Sequence, residues 1–308
     1  MNTQPTIFPA PLKKGDLIAI TSPAGPIAED VVMGAKKVLE KEGWRVKVMP
    51  HALGRHGIYA GTDDDRFADL ADALTDPEVK AVMCSRGGYG VVHIMERLDN
   101  IDLRKNAKWV IGFSDISALH AAMGHQGVAS IHASMAAHLN KYGADDVDTQ
   151  SLFAILRGER PAFAMPSSPL DRLGIAEGVL MGGNLAVLAD LINTRYDMIR
   201  PDTILFVEDV AETIYKTERI FYQLRISGVL AKLRALIVGQ FTECKPDKSY
   251  DTTEQMIADM VAPYNYPVAF NTPIGHVDHN IPVIENAHVT LKVTAEGNNH
   301  LIYWPSTK

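Results

Sequence analysis

Through the first half of the chain, short unbroken apolar runs rich in Ile, Val and Ala alternate with stretches whose apolar residues recur every three to four positions. "LIAITSPA" (17–24) reads as a strand, "AEDVVMGAKKVLEKEGW" (28–44) as a helix closing near Gly43, and "RVKVMP" (45–50) as a second strand. A helix over 64–74 must stop before Pro77, because the residue preceding a proline is pushed out of the helical region. "KAVMCS" (80–85) then leads through the turn "RGGYG" (86–90) into a helix, and "KWVIGF" (108–113) runs directly into "SDISALHAAMGHQG". Strands that lack polar alternation need cover on both faces. The repeated strand, loop and helix therefore predict an α/β domain with a flavodoxin-like parallel sheet.

This pattern weakens between about 140 and 172, where "MPSSPLDRLG" is rich in Pro and Ser. The expected layout is an N-terminal α/β domain over 1–145, a linker over 146–172 and a C-terminal domain over 173–308. In the second half, strands "TILFVE" (203–208) and "ALIVGQF" (235–241) mix with helices near 184–193, 214–227 and 252–262, and short strands and turns dominate after Pro267. This predicts a smaller C-terminal α/β domain with a β-barrel-like sheet. Neither an internal repeat nor a low-complexity tract interrupts it.

Composition narrows the function classes. At 308 residues with 46% apolar content, the chain is long enough for two cores. Its formal charge of −7 is spread out and no basic run occurs, which excludes a nucleic-acid partner. The N-terminal stretch has no apolar run of signal-peptide length and nothing later approaches a membrane span. Cys84 and Cys244 stand far apart, offering neither a disulfide framework nor metal-ligand spacing, so a cytoplasmic location is expected.

Ligands of an open parallel sheet bind at the carboxyl ends of its strands, where loops converge and helix N-termini point N–H groups outward. Two corners qualify. Ser114 follows "KWVIGF" and "RGGYG" follows "KAVMCS". Ser114 is either the cap of the following helix or a nucleophile with the Asp115 N–H behind it as an oxyanion donor, and Gly87 and Gly88 would let a second N–H approach. A serine nucleophile needs a base held by a third group. Strand "ILFVE" ends in Glu208 and Asp209, which alternation puts on opposite faces, so only one of them meets the base. Among the histidines, His276 sits in "NTPIGHVDHNIPV", a proline-bounded loop suited to presenting an imidazole. "HVDH" (276–279) also permits a metal reading, without an HExxH or paired-cysteine partner to support it.

Six blocks, "AGTDDDRFADLADALTDPEVKAVMCSRGGYG" (60–90), "IGFSDISALH" (111–120), "GVLMGGNLAVLADLINT" (178–194), "ILFVEDVAETIYKTERIFYQLRISG" (204–228), "ALIVGQFTEC" (235–244) and "PIGHVDHNIPV" (273–283), together resemble the L,D-carboxypeptidase family of serine peptidases. The resemblance spans nearly the whole chain. It implies a cytoplasmic enzyme, without cofactor or metal, that removes the terminal D-alanine of murein tetrapeptides at its bond to meso-diaminopimelate. It makes Ser114 the nucleophile, Glu208 the acid and His276 the base, with the N–H groups of Gly88 and Asp115 as oxyanion hole, in a cleft between the two domains, and a homodimer as the expected assembly.

Arg86 is the candidate for the substrate carboxylate, and Asn184 is either a substrate contact or a helix N-cap. Two segments depart from the family pattern: "IHASMAAHLN" keeps His132 and Met135 but lacks the usual Gly-Pro, and "PVIENAHV" (282–289) replaces a Pro-hydrophobic-Gly-Ala run. The alternatives are a microcin-immunity-type peptidase of the same family, acting on aminoacyl-nucleotide amides, a non-catalytic peptide- or nucleotide-binding module, and a metal hydrolase.

Overall fold

The computed structural model describes residues 5–295 and 297–304. Its strands are β1 (Leu17–Thr21), β2 (Arg45–Val48), β3 (Val79–Cys84), β4 (Trp109–Gly112), β5 (Ser130–His132), β6 (Phe163–Pro166), β7 (Gly174–Asn184), β8 (Thr203–Val210), β9 (Ala235–Thr242), β10 (Val268–Ala269), β11 (Val283–Glu285), β12 (Ala287–Val293) and β13 (Asn298–Tyr303). Two compact units result. One holds residues up to 159 together with 281–285, and the other holds 160–280 and the chain from 286 onward.

The first unit is built on a six-stranded sheet in the order β11-β5-β4-β3-β1-β2, with β1 to β5 all parallel and β11 antiparallel to β5. Read from β2, the order 2-1-3-4-5 is the flavodoxin-like one expected, and its switch point falls between β1 and β3. Residues of β1 and β4 are buried throughout, as continuous apolar runs require, whereas edge strand β2 alternates and sends Arg45 outward. Helix Glu29–Lys41 buries Val32, Ala35 and Leu39, one stripe of its surface. Helix Asp63–Thr75 opens with a reciprocal capping box, Thr62 accepting from the Asp65 N–H while the Asp65 side chain accepts from the Thr62 N–H.

The second unit carries a seven-stranded mixed sheet in the order β10-β9-β8-β7-β12-β13-β6. Strands β7 to β10 are parallel and β12, β13 and β6 antiparallel. The barrel-like sheet expected from the sequence is what forms: Val268 of β10, at one end of the order, exchanges backbone hydrogen bonds with Arg172, which follows β6 at the other end. No helix among the described residues is long and apolar enough to cross a membrane.

Three expectations change. The stretch read as a linker, 146–172, contains helix Val147–Leu156, capped by Asp146, and strand β6; the change of unit falls inside it, at 160. The units are not contiguous in sequence either, because β11 returns to the first sheet, pairing Val283 with His132 and Glu285 with Ser130. That pairing lays the two segments that depart from the family pattern side by side. Beyond the glycine turn, the expected helix is instead a pair of 3-10 segments, Val91–His93 and Met95–Asn100.

Strand β7 is eleven residues long and is disguised in sequence by its glycines. A Cβ at Gly178 would lie 2.2 Å from the Asp202 carbonyl oxygen, and one at Gly182 would lie 2.0 Å from that of Phe206. The neighbouring backbone leaves no room for a side chain at either position. Gly182→Ala is therefore expected to destabilise the protein by about 3 kcal/mol, read as a lower urea midpoint at an unchanged slope; an unmoved midpoint contradicts the packing described.

Candidate active site

In the first unit, β4 ends at Gly112 and the chain turns sharply at Phe113 and Ser114. Ser114 adopts a left-handed backbone, φ 66°, at the first residue of the 3-10 turn Ser114–Ile116, with Phe113 as the preceding cap residue. The helix Ser117–His125 follows, preceded by Ile116. Ser114 is thus not the cap residue of either helix. A non-glycine residue held at positive φ between strand and helix is a strained corner of the kind that exposes a nucleophile, at a cost of about 1–3 kcal/mol to the fold.

The glycine turn packs against this corner. A Cβ at Gly87 would approach Ser114 Cβ to 2.7 Å and Ser114 Oγ to 2.9 Å, so only glycine lets the turn come this close. Gly87 accepts from the Gly25 N–H at 3.0 Å, and Gly88, at φ 118°, would drive a side chain into the Gly25 backbone. The turn therefore sits between the ends of β1 and β3, at the switch point of the sheet. Among the described residues, neither the Gly88 nor the Asp115 backbone N–H has an acceptor. Both of these predicted oxyanion donors thus belong to the same unit as Ser114.

Behind the corner, helix Ser117–His125 contributes His120, which is fully buried. Burial pulls the His120 ring down to about 4, so it is neutral, and it bridges Ser130 Oγ and the Gly112 carbonyl oxygen, each at 2.9 Å. The sequence reading did not single out this histidine. Its place within an apolar helix was the available signal.

In the second unit, Glu208 lies on β8, fully buried, and its Oε2 is 2.7 Å from His276 Nδ1. With an ionised Glu208 as acceptor, the ring carries its proton on Nδ1 and keeps the Nε2 lone pair for base chemistry. Burial pulls His276 down, but the hydrogen bond and charge of Glu208, with Asp209 and Glu243, outweigh it and leave the ring above its ordinary 6.5. Burial raises Glu208, against the pull of His276.

The loop bearing His276 is strapped to β9. Thr272 N–H donates to the Val238 carbonyl oxygen at 3.2 Å, and Gln240 N–H to that of Ile274 at 2.9 Å. Gly275 N–H is held by Asn280 Oδ1 at 2.9 Å. Gly275 has φ 129°, and a Cβ there would fall 2.8 Å from Glu208 Oε2, so the loop closes over the carboxylate only because this residue is glycine.

Asp209 is held by other groups. Its Oδ1 accepts from Asn184 Nδ2 at 2.8 Å and its Oδ2 from the Ala186 N–H at 3.0 Å. Asn184 also accepts from the Val187 N–H at 3.2 Å, making it the N-cap of helix Leu185–Leu191, the second of the two uses foreseen for it. Exposed Arg86 donates to the Pro26 carbonyl oxygen at 3.0 Å. Neither Asp278 nor His279 joins a cluster of metal-ligand spacing; among the described residues such a cluster is formed instead by His138, Asp146 and Asp148 in the first unit. There Asp146 Oδ2 already takes hydrogen bonds from His138 and from the N–H groups of Asp148 and Thr149, as a helix cap does. Cys84 and Cys244 are both free thiols.

If the left-handed backbone at Ser114 is strained by its Cβ, removing the hydroxyl and removing the Cβ have separable effects. Ser114→Gly is expected to be more stable than Ser114→Ala by about 1 kcal/mol, measured by thermal or urea denaturation; equal stabilities would deny the strain.

Comparison with known proteins follows the same division of the chain. Residues 18–133 match the model of the LD-carboxypeptidase N-terminal domain, and residues 177–291 that of the LD-carboxypeptidase C-terminal domain. The chain is 34% identical over 297 residues to a probable murein peptide carboxypeptidase of Bacillus subtilis, covering 94% of this chain and 92% of the relative. It is 32% identical over 272 residues to the murein tetrapeptide carboxypeptidase of Pseudomonas aeruginosa, covering 85% and 89%. The crystal structure of muramoyltetrapeptide carboxypeptidase from Oxalobacter formigenes superposes with a TM-score of 0.85 at 28% identity, over 95% of this chain and 100% of the other. With both family domains matched in order and whole-length relatives above 30% identity, the chain belongs to the LD-carboxypeptidase family.

Proposed function

We propose that this protein is a serine-type L,D-carboxypeptidase that releases the terminal D-alanine of murein tetrapeptides by cutting its bond to meso-diaminopimelate, with Ser114, His276 and Glu208 as nucleophile, base and orienting acid. The observation that carries the reading is the 2.7 Å pair between His276 Nδ1 and the fully buried Glu208, the arrangement that fixes a histidine's tautomer for general-base work. The strained corner at Ser114 supports it from the first unit.

In the first step the Ser114 Oγ–H gives its proton to His276 Nε2 as Oγ attacks the carbonyl carbon of the scissile amide. Negative charge gathers on the carbonyl oxygen, where the Gly88 and Asp115 N–H groups receive it, each worth about 3 kcal/mol at comparable sites. The tetrahedral adduct collapses as Nε2–H protonates the departing nitrogen, D-alanine leaves, and an ester on Ser114 remains. Water, deprotonated by His276, attacks that ester and restores the serine. Arg86 receives the terminal carboxylate, for which a guanidinium fork is suited, and the enzyme works in the cytoplasm as a homodimer.

Incubation with L-Ala-γ-D-Glu-meso-diaminopimelate-D-Ala should give the tripeptide, detected by mass, and Ser114→Ala should lower kcat by about 1,000-fold or more. A variant within about tenfold of the parent would remove Ser114 from the role. Turnover of an aminoacyl-nucleotide amide in place of the tetrapeptide would instead assign the chain to the microcin-immunity branch, and binding without release of D-alanine to a non-catalytic module.

The raised His276 fixes the direction of the pH profile. The base must be unprotonated at Nε2, so kcat/KM is expected to fall on the acid side with a midpoint above 6.5. Glu208→Gln removes the two largest influences that hold the ring up and leaves only Asp209 and Glu243 against burial, so the limb moves to lower pH while kcat drops. A limb that stays in place in Glu208→Gln would separate the profile from this pair.

A further inference from the structure

The glycine turn is tethered at both ends, and the tethers at its far end serve no part of the reaction described so far. Asp115, 4% exposed, accepts the Val91 N–H on Oδ2 at 2.9 Å. Val91 immediately follows Gly90, the last residue of "RGGYG". The side chain of the residue next to the nucleophile thus reaches across to the end of the turn that carries the second oxyanion donor.

Arg66 completes the arrangement. Its guanidinium is 1% exposed, donates from Nη1 to the Gly90 carbonyl oxygen at 2.8 Å and to that of Pro23, and pairs through Nη2 with Asp63. The Tyr59 ring lies 5.1 Å from its central carbon. Gly90 has φ 124°, and a Cβ there would come within 2.8 Å of Arg66 Nη1, so turn and guanidinium are fitted to each other. Burying a guanidinium is costly unless its donors are met; here Nη1 meets the two loops that follow β1 and β3 and Nη2 meets Asp63, while Nε has no acceptor among the described residues.

We propose that the Asp115 carboxylate and Arg66 are positioning residues that lock the glycine turn against the Ser114 corner, so fixing the distance between the Gly88 and Asp115 N–H donors. This rests on Ser114 being the nucleophile. The turn's near end is held by the Gly25 N–H to the Gly87 carbonyl oxygen, its far end by Arg66 at Gly90 and by Asp115 at Val91. Because Asp115 is bonded to Ser114 in the chain, any slip of the turn changes the donor separation rather than carrying both donors together. Oxyanion stabilisation depends steeply on such separations, while ground-state substrate binding does not.

The test compares Asp115→Ala, Asp115→Asn and Arg66→Lys with the parent, using tetrapeptide kinetics and the affinity for a peptidyl boronate that forms a tetrahedral adduct on the serine. Asp115→Ala and Arg66→Lys should each lower kcat about 100-fold, the scale of one lost oxyanion donor, with KM within about threefold of the parent, and boronate affinity should fall in parallel with kcat. Asp115→Asn keeps an oxygen that accepts the Val91 N–H and should recover kcat to within about tenfold of the parent. Circular dichroism and thermal denaturation check folding. If Asp115→Ala does not fold, the asparagine and lysine variants decide by the same readouts. The proposal is overturned by folded variants whose kcat stays within about threefold of the parent, by kcat and KM worsening together with boronate affinity unchanged, or by asparagine doing no better than alanine. Activity that survives in Ser114→Ala would defeat the underlying reading instead, whatever these variants do.

Discussion

A carboxylate with no exposed surface is costly unless its neighbours satisfy it, and Glu208 is such a group, with Oε2 on the His276 ring and Oε1 without a hydrogen-bond partner among the described residues. Everything around it follows from the requirement. The His276 ring supplies a proton at 2.7 Å, the His276 loop is strapped to β9 so that the ring stays there, and Gly275 lacks the Cβ that would strike Glu208. Gly239 on β9 is under the same constraint, since a Cβ there would lie 3.2 Å from Glu208 Cβ and 2.5 Å from the Ile274 carbonyl oxygen. The neighbouring acid has a separate task. Asp209 holds the Asn184 side chain and the Ala186 N–H at the start of helix Leu185–Leu191, and so ties the end of β8 to the end of β7.

The first unit obeys a related rule with backbone in place of charge. Its strained corner is a strand end where glycines bring chains closer than any side chain allows. Gly25, Gly87 and Gly88 stack between the ends of β1 and β3, and Ser114 closes the group in a conformation that L-residues avoid. A strained serine persists only when its surroundings over-determine it. Here those surroundings are the sheet below, the neutral His120 that grips the Gly112 carbonyl oxygen, and the buried Arg66 and Asp115 that hold the turn alongside.

Membership of the LD-carboxypeptidase family fits this distribution of constraints. The matched N-terminal model covers the serine corner and the glycine turn, and the matched C-terminal model covers Glu208 and His276. The residues between the two models include helix Val147–Leu156 and β6, elements of the scaffold. Fold alone does not carry chemistry; the side chains at the strand ends do.

The sequence by itself determined the parallel sheet of the first unit, because uninterrupted apolar runs have no other way to bury both faces, and the helices after β1, β2 and β4, because their apolar stripes repeat at helical spacing. Alternation along a strand indicated only that Glu208 and Asp209 do not both meet one ring; the tertiary structure pairs Glu208 with His276. What the sequence left undecided depends on neighbours distant in the chain. The glycines of β7 concealed a strand whose need for them comes from the backbone of β8, and β11 is too short to reveal that it belongs to the first sheet. The clamp of Arg66 and Asp115 and the bond from Asn184 to Asp209 were likewise invisible, for a charged or amide side chain in a sequence reads as solvent-facing until the fold buries it and compels it to find a partner.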